Sequence, residues 1–339
     1  MFKGSLYVAM AFAILPAAPR PSLRAETSGV TSWNEALLLG QEFSQRGDYA
    51  GAQAVLQEAL REAERSGPDD PRIAIALNNL GSVYQDQGKY IEAEQAYRSS
   101  IRVLEARSPE EDALLASSLN NLADLYLETG QEARPEPLLQ RSLAIRLKVL
   151  GPDHPDVGMT LNNLGALYKR QHKPSQAQAH YQHALVVFQK CLGPEDLRVA
   201  EVLNNLAALS QEQGRLAEAS EFSERAVSIV ETTPESQPAF VAQVLNNRAT
   251  LCSSTGRPAE AEGYLKRALA VVEGAFGPDH PSLAGILSNY AAVLRQLKRV
   301  TEAKQLASRA KNILSRASRA NPMGYSVDVR ELRAAGRRP

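Results

Sequence analysis

A chain of 339 residues with 38 lysines and arginines against 38 aspartates and glutamates has no bulk field that selects nucleic acid or an anionic membrane as a partner. It carries no glycine-rich phosphate loop, paired-cysteine metal spacing or nucleophile-elbow motif, so nothing in the sequence argues for catalysis, a cofactor or a metal.

The first 25 residues stand apart. Lys3 precedes an apolar run from Leu6 to Ala18, followed by Pro19, Arg20, Pro21 and Leu23-Arg24-Ala25. The run is shorter than the ~20 residues of a membrane span. The order of charge, apolar stretch and small residues predicts a secretory signal peptide at 1–25, cut after Ala25. The mature chain is then exported, to a periplasm or the extracellular space, without a membrane span. The alternative is an uncleaved terminus and a cytoplasmic chain. Residues 26–32 read as a linker.

Residues 33–66 fit a helix hairpin through Leu39-Gly40, Phe43, Gly47, Tyr49, Ala52 and Ala59. From 67 to 315 the pattern sharpens into six units of 42 residues marked by an asparagine in step, Asn79, Asn121, Asn163, Asn205, Asn247 and Asn289, preceded by a second asparagine in all but the last, where Ser288 stands. A fixed period of this size marks stacked repeats, each too small to bury its apolar face alone. The first helix of a unit carries Leu77, Leu119 or Leu161, then Leu80, Leu122 or Leu164, then a small residue (Gly81, Ala123, Gly165), then Tyr84, Tyr126 or Tyr168. Spacings of three and four make one helical stripe, and the small position lets a second helix approach closely.

Gly88, Gly130, Gly214 and Gly256 share one phase and predict left-handed C-caps. The second helix has alanine at Ala93, Ala177, Ala219 and Ala261; Pro135 takes that place in one unit, so that helix should start there. Linkers at 67–71, 151–155 and 277–281 end in a proline suited to the next first turn, which makes His154 and His280 helix-start residues. His180 and His183 lie one turn apart with no carboxylate or cysteine in phase, and read as a solvated face. Cys191 and Cys252 fall in units that are not neighbours and are expected to be free, buried thiols. Seven hairpins imply fourteen helices. Residues 316–339, with six arginines, read as a basic flexible tail in which Tyr325 to Val329 form either a short strand or a groove-lying segment.

Leu80-Gly81, Tyr84, Gly88, Tyr90, Ala93, Tyr97 and Ser100 fall where the tetratricopeptide repeat keeps its signature residues, and the sequence resembles that family. The 42-residue length, the Leu-Asn-Asn-Leu core and the Gly-Pro-Asp-His-Pro linker are similar to the kinesin light chain type of repeat. The resemblance implies an all-α fold, an α-solenoid wound as a right-handed superhelix of about seven hairpins, with first helices lining a concave groove. It implies a non-catalytic scaffold whose partner is an extended peptide or protein segment, with no nucleic acid and no small-molecule substrate. Residues 1–32 lack the heptad segment that joins a light chain to its motor, so kinesin transport is not implied. An intracellular adaptor and a regulatory subunit of an enzyme are the alternatives.

At about 100° per residue, Asn79, Ser82 and Asp86 lie opposite the packing stripe. Unit by unit the same face carries Asn121, Asp124 and Glu128; Asn163 and Arg170; Asn205 and Glu212; Asn247; and Asn289. The resemblance makes this face the peptide-binding groove, where an amide can both donate to and accept from a peptide main chain. The alternative for either asparagine column is a bond between neighbouring units. The early units are acidic at Asp86, Asp124 and Glu128, and fit a ligand with basic residues. Leu37 and Leu38 hold the two asparagine positions in the first hairpin.

Overall fold

A stripe spaced by three and four makes each helix amphipathic, and a glycine at fixed phase stops it. The computed structural model describes residues 33–107, 113–131, 133–233 and 237–320. The expected signal peptide and linker, and the Tyr325–Val329 segment, lie outside the described residues. Fourteen helices run through them: α1 (Trp33–Gln45), α2 (Tyr49–Arg65), α3 (Pro71–Asp86), α4 (Tyr90–Glu105), α5 (Ala113–Glu128), α6 (Pro135–Leu150), α7 (Pro155–Arg170), α8 (Pro174–Leu192), α9 (Leu197–Glu212), α10 (Leu216–Thr232), α11 (Pro238–Ser254), α12 (Pro258–Phe276), α13 (Leu283–Gln296) and α14 (Val300–Ala320). They pair as seven hairpins, with no strand among the described residues. The chain divides into two compact bodies, one up to His180 and one from Tyr181, the division falling inside α8.

Within a hairpin the small position does what its size suggests. A Cβ on Gly81 would lie 2.6 Å from Cε1 of Tyr97, and one on Gly40 2.8 Å from Cγ of Leu56. The stripe residues Leu80, Leu119, Leu122 and Tyr126 are buried in the first body, as are Leu203, Leu206, Leu245 and Leu287 in the second.

Two helix starts follow the linkers, at Pro71 and Pro155, whereas α13 opens at Leu283 after Ser282, so Pro281 and His280 lie before it. Asp70 and Asp196 cap α3 and α9 by accepting from the backbone N–H of Arg72 and Arg198, and each carboxylate also holds that arginine's guanidinium. His154 caps α7 in the same way: its Nδ1 accepts from the N–H of Asp156 at 3.2 Å. The second helix expected to start at Pro135, α6, does begin there.

Gly88, Gly130, Gly214 and Gly256 have φ between 73° and 77°, as their phase predicts. The same turn is made without glycine at His172 (φ 57°) and Lys298 (φ 62°). Its closing bonds persist there, from Lys173 N–H to the Tyr168 carbonyl at 2.9 Å and from Arg299 N–H to the Leu294 carbonyl at 2.8 Å. A side chain in that conformation is strained by about 1 kcal/mol or more. His172→Gly and Lys298→Gly are each expected to stabilise the chain by about 0.5–1 kcal/mol, net of glycine's larger unfolded-state entropy. Thermal melts check this, and a lowered midpoint in both variants would remove the strain argument.

Two further sequence expectations are corrected. Cys252 is buried but Cys191 is exposed, because it sits in the last turn of α8, beyond the residues that pack. The last helix does not stop near 315: α14 continues to Ala320. Nothing in Ala-Ser-Arg-Ala breaks a helix, and no glycine stands at the stop phase.

Candidate functional site

The asparagine columns are joined to each other. In the first body, Nδ2 of Asn121 donates to Oδ1 of Asn78 at 3.1 Å, and Nδ2 of Asn163 to Oδ1 of Asn120 at 3.2 Å. In the second, Asn247 donates to Asn204 at 3.1 Å and Asn289 to Asn246 at 2.9 Å. Each rung links a residue to one 43 positions later, a period plus one. Successive first helices lie side by side, so the flank at about 100° on one meets the flank at about 200° on the next.

A second set of rungs lies seven residues further along, about 10 Å up the helices. Nε2 of Gln85 donates to Glu128 at 2.9 Å and to Asp124 at 3.1 Å. Arg170 donates to the Leu127 carbonyl. Gln211 donates to Ser254 at 3.2 Å and Ser253 to Gln296 at 3.0 Å. Gln85 is itself aimed by the Tyr97 hydroxyl, which donates to its Oε1 at 3.1 Å. Burial holds the Tyr97 phenol well above its usual pKa, so it remains a donor. Tyr90 donates to Glu128 at 2.9 Å.

The expected groove residues therefore differ in what they have left to offer. Asn163 and Asp124 are buried and bonded to neighbouring helices. Asn121, Glu128, Asn247 and Asn289 are half-buried members of rungs, and Asn205 and Ser82 are half-buried too. Asp86 and Arg170 open to solvent in the first body; Glu212, Thr250, Ser254 and Gln296 do so in the second. Asn79 is the exception in its column. It is only 7 % exposed, and its amide makes no hydrogen bond among the described residues. Its rung is missing because Leu37 holds the facing position on α1 and packs into the apolar cluster beneath.

Asp86 reaches solvent but is crowded by protein on its flanks. That desolvation, reinforced by the Glu128 charge, pushes its carboxyl up to about 6. The folded chain thus binds a proton there more tightly than the unfolded chain, whose aspartate titrates near 3.9. Stability falls as pH rises from about 4 to about 6 on account of this group. Asp86→Asn should raise the melting temperature at pH 7.5 and leave it unchanged at pH 4. Equal shifts at both pH values would show that its ionisation is not the cause.

Two buried arginines escape a reading built on the consensus. Arg248 stands on α11 at the phase of Leu80, Leu122, Leu164 and Leu206, and is 2 % exposed. It donates to the carbonyl and hydroxyl of Ser220, at 3.1 and 2.9 Å, and to Glu224 at 2.5 Å. Arg146 on α6 is equally buried and reaches Thr160, Ser117 and the Asp156 carbonyl. The column positions were legible; the arginines' partners were not.

Tandem helix hairpins packed through a small-residue position, and tied by polar rungs between first helices, define an α-helical repeat protein of the solenoid class. The chain belongs to the tetratricopeptide repeat family, whose model matches residues 34–106, 114–187, 175–232 and 240–316. Among solved structures it is similar to BtubC (BKLC) from P. vanneervenii, with 26 % identity and TM-score 0.57 over 67 % of this chain and 91 % of that one. It is also similar to a putative kinesin light chain of nearly identical repeats from Podosopora anserina (23 %, TM-score 0.51, 62 % and 99 %). A Rap protein complexed with Competence and Sporulation Factor shares the fold at 12 % identity (TM-score 0.65, 87 % and 79 %). No curated protein matches the chain. Proteins of this family bind peptides or proteins, which makes the chain a protein–protein interaction scaffold.

Proposed function

We propose that the scaffold binds an extended peptide or protein segment along the open stripe of its first helices, without catalysis, and that it acts outside the cytoplasm. Asn79 carries this reading. Its amide makes no internal bond yet is not sealed from water, so it is open to a ligand, and a peptide main chain offers both a donor and an acceptor. Ser82 and Asp86 continue its stripe along α3, and in the second body Thr250, Ser254 and Gln296 offer polar groups to solvent. The rungs support the stripe by fixing neighbouring helices in register.

A peptide-display selection on the purified chain supplies the ligand. Asn79→Ala with Asp86→Ala should then abolish its binding while helicity is kept and the melting temperature is not lowered. Undiminished binding by that variant would sink the groove reading. Export rests on Lys3 and the apolar run from Leu6 to Ala18. N-terminal sequencing of the mature chain should begin at Glu26; an intact Met1 would favour the intracellular adaptor.

A further inference from the structure

We propose that copies of this chain join end to end, α1 of one copy seated on α14 of the next, in the register that successive hairpins use within the chain. The proposal is independent of the peptide groove. That register is fixed by hydrogen bonds between the second helix of a hairpin and the first helix of the following one. Ser100 on α4 meets Ser118 on α5 at 2.8 Å, and Arg146 on α6 meets Thr160 on α7 at 2.7 Å. Two turns further along, Tyr126 on α5 donates to Glu94 on α4 at 2.8 Å, and Tyr168 on α7 to Glu136 on α6 at 2.9 Å.

On the first and the last of the described helices the same positions change character, and with opposite sign. The place of Ser118 and Thr160, buried also as Ala76, Val202 and Val244, is Glu35 on α1, exposed. The place of Leu125 and Leu167, buried also as Val83, Leu209 and Leu251, is Glu42, whose side chain is 46 % exposed. At the other end, the aliphatic place of Ile101, Val227 and Leu269 is Lys311 on α14, and the glutamate place of Glu94 and Glu136 is Lys304. Both lysines are exposed and make no ion pair among the described residues. Leu314 takes the place of Leu104, Phe188 and Val272, each at most 1 % exposed, yet is itself 50 % exposed; Leu38 on α1 is 49 % exposed.

Laid in the internal register, the face of α1 that carries Glu35 and Glu42 meets the face of α14 that carries Lys304, Lys311 and Leu314. Glu42 also pairs with Arg46 one turn on, which leaves its second oxygen for a lysine. An end face that only needed to be soluble would take polar residues of either sign. Carboxylates on one end and ammonium groups on the other, at matching positions, fit a second copy. The surfaces joined are different, so the contact is heterologous and adds copy after copy instead of closing a two-fold dimer.

Sedimentation of the purified full-length chain tests this. At low salt the average mass should rise with concentration, and it should fall back near 1 M salt, where the Debye length is about 3 Å. Lys304→Glu with Lys311→Glu sets glutamate against glutamate, and Glu35→Lys with Glu42→Lys sets lysine against lysine. Each double variant alone should associate on the order of a hundredfold more weakly. Mixed together they should assemble again, as should the chain carrying all four exchanges, with unchanged helicity throughout. A wild-type chain that stays monomeric at every concentration in low salt overturns the proposal. So does assembly that neither double variant weakens, or weakening that the four exchanges fail to reverse.

Discussion

Arg146→Ala should destabilise the first body by about 3–5 kcal/mol, whereas Arg248→Leu should leave the second within about 1 kcal/mol of wild type or make it more stable. The two arginines are equally buried, at 2 % exposure, so burial does not separate them. Their counter-charges do. Arg146 binds through Nη1 to the Asp156 carbonyl and to Thr160, both at 2.7 Å, and through Nη2 to Ser117 at 3.2 Å, which ties α5, α6 and α7 together. Asp156 is itself buried, at 7 % exposure, and its carboxylate is the charge nearest in effect to the guanidinium. Alanine there opens a cavity, strands the Asp156 carbonyl, Thr160 and Ser117 without their donor, and removes the positive charge whose field reaches the Asp156 carboxylate. Burial already lowers the Arg146 pKa below the usual arginine range, a sign of how dearly this charge is held. Around Arg248 the carboxylates are solvated: Glu224 is 61 % exposed and Glu260 38 %. Removing the arginine therefore strands no buried charge, and leucine restores the side chain that Leu80, Leu122, Leu164 and Leu206 supply at this phase. Urea midpoints at constant slope read both effects. Equal losses in the two variants would show that the volume, not the counter-charge, decides.

The repeat made most of the fold legible, because each column reports one environment sampled several times. Leu77 with its successors, the small residue at Gly81 and the glycine at Gly88 were enough to draw helix, packing face and stop. The column reading was weaker where a contact crosses from one column to another. The spacing sets the two asparagines of a dipeptide in separate columns, yet the bonds run between the columns, from Asn121, Asn163, Asn247 and Asn289 to the first asparagine of the preceding hairpin. Only the lateral offset of adjacent helices shows that. Asp124 was placed on an open surface by its angle alone, but Gln85 on the neighbouring helix covers and binds it. Departures from consensus were visible as letters and silent as energies. His172 and Lys298 in the glycine column, and Arg248 in the leucine column, show their meaning only with backbone angles and partners in hand.

The ladder itself makes the last prediction. Asn163→Ala should cost about 1–3 kcal/mol, because it leaves a fully buried amide on Asn120 with nothing to bond. Asn120 is 0 % exposed, its Nδ2 already lacks an acceptor among the described residues, and its Oδ1 has Asn163 as donor. Asn121→Ala should cost less than about 1 kcal/mol, since Asn78, which it leaves behind, is half-buried and water can replace the lost donor. In the pair Asn120→Ala with Asn163→Ala, both members of the rung go together and no orphan remains, so the loss should be smaller than the sum of the single losses. A double-mutant cycle by thermal unfolding measures this, and strict additivity would show that the rung carries no coupling. The consequence reaches the binding question. A ligand lost on removing Asn121, Asn163 and Asn205 together can be lost through slackened helices, whereas Asn79 has no internal bond to give up. Only at Asn79 does loss of a ligand, at unchanged stability, report on the ligand alone.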